Sequence, residues 1–399
     1  MKKILIDKKL LSLFIISILG CFSGAMLAPI EMPFVQSILH DSSQASFVFT
    51  VATIASVIGI VFMNLLTHKY GNKKILYIFM GLAIIFPVLY SNAINILQVY
   101  GVKFAWIVCT AGFAPIFESF FQSKIIKINI KPGFFYGYFY SLQSLAGMFG
   151  SMVGGLVSDI SGYKMVFYIF TVISALQFLV FIYISKLSNK SEFLTRKYPK
   201  DINISKGVDY ILKNTELKVC LLLSGSFSIA WGSKIILYPL IIMKITQLNT
   251  MTGLTMSMQG MVAMITLPII GKIVDVSGYR KVLLFGYMML SIALLIFGIS
   301  SSIILLFISA ILISLAEACN GPAMGALKVK NIPEELRNSV NSVQQIFNII
   351  LGVIATVGIG VMLYTLSAQI ITVIISIIVF VTLVYALFAY RKNILSHDN

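Results

Sequence analysis

Five charged side chains lie inside long apolar stretches of this sequence. They are the acids Glu31, Glu118 and Glu317 and the lysines Lys103 and Lys234. A charged side chain at the centre of a membrane helix costs about 2.5 to 3.5 kcal/mol on the insertion scale, so several unpaired ones would be hard to carry. We therefore expect the five groups to face one another or water. A buried acid beside an ammonium group is suited to coupled protonation, which makes Glu31 and Glu317 the candidate proton carriers.

The depths of these charges allow two pairs. At 1.5 Å per residue, Glu31 and Lys103 differ in depth below the outer surface by about 5 Å. Lys234 and Glu317 differ by about 9 Å. Each half of the sequence can therefore hold one analogous pair.

Polar and aromatic residues follow the charges at helical spacing, which predicts the walls of a pocket. The alternative is that the charges are pins between helices and that the aromatic rings are ordinary packing. The predicted substrate-binding and proton-binding residues are Glu31, Lys103, Trp106, Glu118, Trp231, Lys234, Glu317 and Asn320.

The elements that must position these residues are membrane-spanning helices. With 58% hydrophobic and 11% charged residues in 399 positions, the chain has more apolar surface than a soluble core of that length can hide. Apolar segments of about 18 to 25 residues can cross a hydrocarbon layer of roughly 30 Å, and only helix satisfies their backbone groups there. The twelve predicted spans are 10–34, 45–67, 75–93, 97–121, 136–158, 164–186, 219–243, 251–273, 281–299, 302–327, 339–363 and 368–390. The fold class is therefore an all-α integral membrane protein.

One polar segment divides the spans six and six. The predicted domains are an N-terminal six-helix bundle over 1–186, a cytoplasmic linker over 187–218 and a C-terminal six-helix bundle over 219–399. A Gly-x-x-x-Asp-x-x-Gly turn occurs in both bundles, as a duplicated unit would leave behind. Within the linker we expect a short amphipathic helix near 208–219 that lies on the inner leaflet.

The basic residues set the orientation. If the amino terminus is cytoplasmic, 26 of the 30 lysines and arginines fall in inside segments, a strong positive-inside asymmetry. Both termini are then cytoplasmic, and the protein is predicted to lie in the cell membrane. The net charge of +16 is spread over short loops and does not gather on one soluble face, so a nucleic-acid partner is not expected.

The remaining signals predict neither a metal nor a cofactor. Three scattered histidines and four cysteines without C-x-x-C spacing offer no ligand set. The stretch Leu19-Gly20-Cys21 looks like a lipoprotein cleavage box, but the apolar run continues to Ile30. We therefore expect this segment to remain as the first span.

Three motifs carry a family resemblance. The turn GKIVDVSGYRKVLL resembles the loop motif of the major facilitator superfamily of secondary transporters, through Gly271, Asp275, Gly278, Arg280 and Lys281. Lys103, twelve residues before Pro115, is similar to the fourth-helix motif of that superfamily, with Lys where Arg is usual. The run Gly150-Ser151-Met152-Val153-Gly154-Gly155 resembles the fifth-helix motif of its drug-exporting antiporters, with Ser151 in place of proline.

The resemblance implies a fold and a gate. It implies twelve helices in two six-helix bundles, with helices one, four, seven and ten lining a central cavity. It also implies that Asp275 meets the positive amino end of a neighbouring helix and holds one side of the transporter shut. We expect Gly278 to adopt a backbone conformation that other residues resist, and Gly271 to allow close helix approach. The copy of the turn with Asp159 lies outside the cell in this topology, where it can serve geometry alone.

The predicted function is proton-coupled secondary active transport by alternating access, and not an enzyme reaction. The expected partners are protons, the lipid bilayer and an exported small amphipathic or carboxylate-bearing molecule, such as a drug, a siderophore or a lipid-like metabolite. We expect a monomer. An importer of a small nutrient, working as a symporter or a facilitator, shares all these features. A channel would need a filter of carbonyls or a charge ring, and a membrane enzyme a histidine and carboxylate cluster; the sequence shows neither.

Overall fold

The computed structural model describes residues 8–113, 117, 132–187, 204–333 and 336–397. These residues form fourteen α-helices, and no strand occurs among them. The chain divides into two compact units, of which the first contains Met1–Tyr198 and Leu248–Ser257 and the second contains Pro199–Gln247 and Met258–Asn399.

The helices up to the linker belong to the first unit. They are α1 (Lys8–Leu27), α2 (Glu31–Leu39), α3 (Ser42–Tyr70), α4 (Asn72–Ser91), α5 (Ile96–Thr110), α6 (Pro132–Ser161) and α7 (Tyr163–Leu187). The later helices are α8 (Ile204–Lys213), α9 (Thr215–Thr246), α10 (Asn249–Ser277), α11 (Tyr279–Ile299), α12 (Ile303–Asn331), α13 (Arg337–Met362) and α14 (Ala368–His397). Helix α10 begins in the first unit and continues in the second.

Nine helices in the described part of the chain are long and apolar enough to cross a membrane, and α1 with α2 forms a bent pair that makes a tenth. Helix α5, with 15 residues, is a shorter apolar helix that ends at Thr110. The predicted all-α, multi-pass membrane fold is confirmed.

The first span is broken, which differs from the continuous helix predicted over 10–34. Helix α1 ends at Leu27, and α2 begins at Glu31 after a bend of 42°. Pro29 lies in the break; it lacks a backbone N–H and its ring clashes with the preceding helical turn. Because the span continues to Leu39, Glu31 lies deeper in it than the predicted boundary implied.

Glycines let helix α6 touch its neighbours in the first unit at backbone distance. A Cβ atom at Gly150 or Gly154 would collide with the backbone of Phe22 or Met26 on α1. A Cβ atom at Gly155 would collide with the backbone of Asn249, at the start of α10. Small residues therefore set the closest helix contacts of this unit.

The linker helix is shorter than expected and packs on protein. Helix α8 ends at Lys213, and Asn214 caps the next helix by accepting a hydrogen bond from the Leu217 N–H. Ile211 on α8 is buried, and Gly207 lies against the backbone of Ser339 on α13. One face of α8 thus packs on α13 within the second unit, and the placement of α8 on the inner leaflet stays a prediction.

Candidate functional site

Among its described residues, the first unit contains a buried ion pair. Glu31, at the start of α2, forms an ion pair with Lys103 on α5 through its Oε1 atom. The two side chains are only 10% and 7% exposed. Tyr90 on α4 donates a hydrogen bond from its hydroxyl to the same carboxylate, at 3.3 Å. The structure therefore brings together the two charges that the sequence placed at similar depth.

Aromatic rings enclose this pair. The Lys103 ammonium lies 5.6 Å from the Tyr90 ring centroid and 5.3 Å from that of Trp106, within cation–π range. The Tyr90 ring also contacts Phe34 and Phe167, each at 5.6 Å between centroids. Trp106 is itself buried. The Glu31–Lys103 ion pair thus lies buried among aromatic rings, and Tyr90 also donates a hydrogen bond to it.

The second unit contains the analogous pair on α9 and α12. Lys234 Nζ donates to Glu317 Oε1 at 2.8 Å. These side chains are 13% and 19% exposed, about twice the exposure of the first pair. The Lys234 ammonium lies 4.6 Å from the centroid of the Trp231 ring, and Trp231 is 48% exposed. This pair therefore has an open side that the first pair lacks.

One other predicted site residue, Asn320, makes its hydrogen bond outside the ion pairs. Asn320 on α12 accepts a hydrogen bond at 3.2 Å from the Tyr287 hydroxyl, which also donates to the Leu223 carbonyl at 2.7 Å. These contacts make Asn320 part of the packing of α11 against α9 and α12. Glu118 lies outside the described residues.

The Gly-x-x-x-Asp-x-x-Gly turn of the second unit joins α10 to α11. Gly278 has φ of +83°, the left-handed region that favours glycine. A Cβ at Gly271 would meet no atom of the described residues within 4 Å, so the close approach expected there is absent among them. Asp275 and Lys281 are exposed, and within the described ranges Asp275 makes neither a hydrogen bond nor an ion pair.

The charged contact at this turn uses a carboxylate that sequence reasoning missed. Arg280 forms an ion pair with Glu216, whose side chain is 9% exposed in the first turn of α9. The Tyr279 hydroxyl lies 3.4 Å from the other oxygen of Glu216. In the sequence Glu216 resembled one more linker charge, although its place at a helix amino end is where acids are favoured.

The turn after α6 also has a role that its sequence did not reveal. Asp159 accepts four hydrogen bonds from the start of α10: from the N–H and side-chain amide of Asn249 at 3.1 and 3.0 Å, and from the N–H and hydroxyl of Thr250 at 2.7 Å each. Burial raises the pKa of Asp159, but the hydrogen bonds from Thr250 and Asn249 outweigh burial and hold it below its ordinary value. Asp159 therefore caps α10, as an anion at a helix amino end should.

Comparison with known proteins agrees with this architecture. The family model of the Major Facilitator Superfamily matches residues 13–214 and 220–396. The multidrug resistance protein MdtG of Rahnella sp. is 26% identical over 348 residues, covering 82% of this chain and 81% of that protein. The MdtG protein of Proteus mirabilis is 26% identical over 342 residues, covering 82% and 83%.

Solved structures show the same fold at low identity. The crystal structure of the nucleoside transporter NupG superposes with a TM-score of 0.77 at 13% identity, covering 96% of this chain and 99% of that one. A bacterial homolog of the human lysosomal transporter Spinster gives a TM-score of 0.70 at 12% identity and covers 96% of each chain. With the family match over both halves, these likenesses show that the chain belongs to the Major Facilitator Superfamily and is a multi-pass membrane transporter.

Proposed function

We propose that this transporter exports small amphipathic molecules in exchange for protons, by alternating access in the cell membrane. The name of its MdtG relatives, multidrug resistance protein, supports export of drug-like compounds. In this proposal both termini are cytoplasmic and the working unit is a monomer. The turn with Asp275 lies on the inner side, where we retain it as the proposed latch.

The observation that carries the proposal is the partly open ion pair of Lys234 and Glu317. A proton on Glu317 removes the charge that holds the Lys234 ammonium. In a medium of low polarity the loss of this charge has a large effect, because each member of a buried ion pair is stabilised mainly by the opposite charge of the other. A proton and a transported molecule can then compete for the same pair, which is what coupled exchange requires.

The decisive test is Glu317→Gln in proteoliposomes. The probe is radiolabelled chloramphenicol, a neutral amphipathic drug. For the unmodified protein we expect an acidic interior to drive its uptake, since protons leave as the drug enters. For Glu317→Gln we expect this gradient-driven uptake to fall at least about tenfold, while exchange of labelled for unlabelled drug without a gradient persists. Unchanged gradient-driven uptake would reject Glu317 as the proton carrier, and uptake driven by an acidic exterior would favour the importer.

A second test needs no substrate. The chain has only two tryptophans, one beside each ion pair. In a Trp106→Phe background, Trp231 emission should change with pH as Glu317 takes up a proton, and Glu317→Gln should abolish the change. In a Trp231→Phe background, we expect Trp106 emission to stay nearly constant over the same pH range. Equal responses from the two tryptophans would contradict the assignment of the proton to the second pair.

A further inference from the structure

Tyr238 is a buried hydroxyl group next to the proposed exchange site. It lies one helical turn beyond Lys234 on α9, with its ring centroid 5.9 Å from the Lys234 ammonium. The ring stacks on Phe297 at 4.0 Å with an interplanar angle of 22°, and Tyr238 is 1% exposed. Its hydroxyl makes no hydrogen bond of ordinary length and angle to any residue that the structure describes.

A second buried donor faces this hydroxyl from α10. Gln259 is 5% exposed, and its side-chain amide lies beside Tyr238. The Gln259 nitrogen also has no hydrogen bond of ordinary length and angle within the described part of the chain, and its contact with the Tyr238 hydroxyl is a weak one. The Gln259 backbone carbonyl accepts a hydrogen bond at 2.6 Å from Ser314, three residues before Glu317 on α12. That contact fixes Gln259 close to the ion pair.

The tyrosine beside the first ion pair has a hydrogen-bond partner, because the Tyr90 hydroxyl donates to Glu31. Beside the second pair, the Tyr238 hydroxyl and the Gln259 amide have only a weak contact with each other and no ordinary hydrogen bond within the described residues; we call them the unused donors. Buried polar groups in proteins nearly always have a well-formed hydrogen bond, so two adjacent donors without one indicate a group that joins them during function.

The charge balance of the second site says what kind of group this is. The positive charge of Lys234 is already matched by Glu317 at 2.8 Å. An added carboxylate would meet the negative charge of Glu317 without an unmatched positive charge in return. The unused groups, a phenol and a primary amide, are neutral donors suited to a neutral acceptor oxygen.

We propose that Tyr238 and Gln259 form a specificity site for an uncharged acceptor oxygen, such as a carbonyl, of the transported amphipathic molecule. This inference rests on the proposed function and narrows its substrate class to neutral compounds rather than carboxylates. The half-exposed Trp231 ring provides an apolar surface beside this specificity site. The contact acts on selectivity, while Glu317 acts on coupling.

The test compares three probes that share a six-carbon chain and differ in the head group. They are 1-hexyl-2-pyrrolidone, a neutral acceptor, hexanoate, an anion, and hexylammonium, a cation. Their Kd values are measured from Trp231 emission in the Trp106→Phe protein at pH 7. We expect the pyrrolidone to bind most tightly, because only it offers a neutral oxygen to both donors.

Single substitutions then locate the contact. Tyr238→Phe removes one oxygen atom and keeps the ring stack, so it is expected to fold. Tyr238→Phe and Gln259→Leu should each raise the Kd of the pyrrolidone roughly three- to tenfold, the usual range for one hydrogen bond. The matched control Tyr90→Phe should leave that Kd unchanged.

Two results would overturn the assignment. One is tighter binding of hexanoate than of the pyrrolidone. The other is a pyrrolidone Kd that Tyr238→Phe leaves unchanged, which is expected if the donors hold only water. If the unmodified protein showed the expected order of Kd values but no uptake driven by a proton gradient, the result would count against the proposed function alone, so the two proposals can fail separately.

Discussion

The two ion pairs use the same residue types in different surroundings. Glu31 and Lys103 are enclosed by rings, and Tyr90 completes their hydrogen bonding. Lys234 and Glu317 are more exposed and lie beside unused donors. A closed pair stabilises the helices that hold it, whereas an open pair retains room for a proton or a ligand. A duplicated unit can thus provide one ion pair that stabilises the fold and one that, in the proposed function, exchanges a proton.

The largest expected difference between the pairs is in stability. Lys103→Met leaves Glu31 buried without its counter-charge, which should lower the free energy of unfolding by about 3 to 5 kcal/mol. Lys234→Met leaves a more exposed carboxylate and should cost about 1 to 3 kcal/mol. Both losses are measured by thermal unfolding of the purified variants in detergent. Equal losses would show that the exposure difference between the two pairs has no energetic meaning.

A third ion pair, at the turn between α10 and α11, should give an intermediate effect. Arg280→Ala leaves the buried Glu216 carboxylate unpaired, but the Arg280 side chain is 42% exposed, so water screens part of the loss. We expect the free energy of unfolding to fall by about 1 to 2 kcal/mol. Lys281→Ala, next in the chain and exposed, is the control and should change it by less than about 0.5 kcal/mol. A loss confined to Lys281→Ala would contradict the pairing.

The smallest effect is expected at the Asp159 cap. Asp159→Asn keeps the shape but removes the negative charge at the amino end of α10, which should cost about 1 kcal/mol or less, since Asp159 is partly exposed. The measurement is the melting temperature at neutral pH. Thr250→Val removes one of the four hydrogen bonds and should give a fraction of that loss.

The same cap has a defined pH dependence. The pKa of Asp159 is lowered by folding, so its stabilisation is fully present above the ordinary value of 3.8 and is lost as the pH falls through the folded-state value. The melting temperatures of the unmodified protein and of Asp159→Asn should therefore differ at neutral pH and converge below about pH 4. A difference that grows on acidification would contradict the sign of the shift.

Much of the site followed from local patterns. Hydropathy located the spans, and counting residues along helices matched Glu31 with Lys103 and Lys234 with Glu317. Those arguments need only the rise of a helix and the cost of a charge in lipid. The break at Pro29 also has a local cause, because proline disrupts a helix. The prediction missed the break because the apolar run continues through it.

Other contacts could not be read from the chain because they depend on how helices are rotated against one another. Gly155 and Gly271 occupy the same place in similar turns. A Cβ at Gly155 would collide with a neighbouring helix, whereas a Cβ at Gly271 would meet no atom of the described residues. Arg280 pairs with Glu216, and Asp159 caps a helix that begins ninety residues later. These contacts join helix ends and turns, where matching depths along helices does not identify the partner.

The sequence by itself determined that this chain spans the membrane many times, belongs to a transporter family and has to pair its buried charges. Composition and periodicity suffice for these conclusions, since the cost of exposing polar groups to lipid acts on each helix alone. Only the tertiary structure decided which ion pair is closed, which is open and where donors remain unused. Those properties arise from side chains on different helices meeting at specific distances, and such distances exist only once the helices have packed.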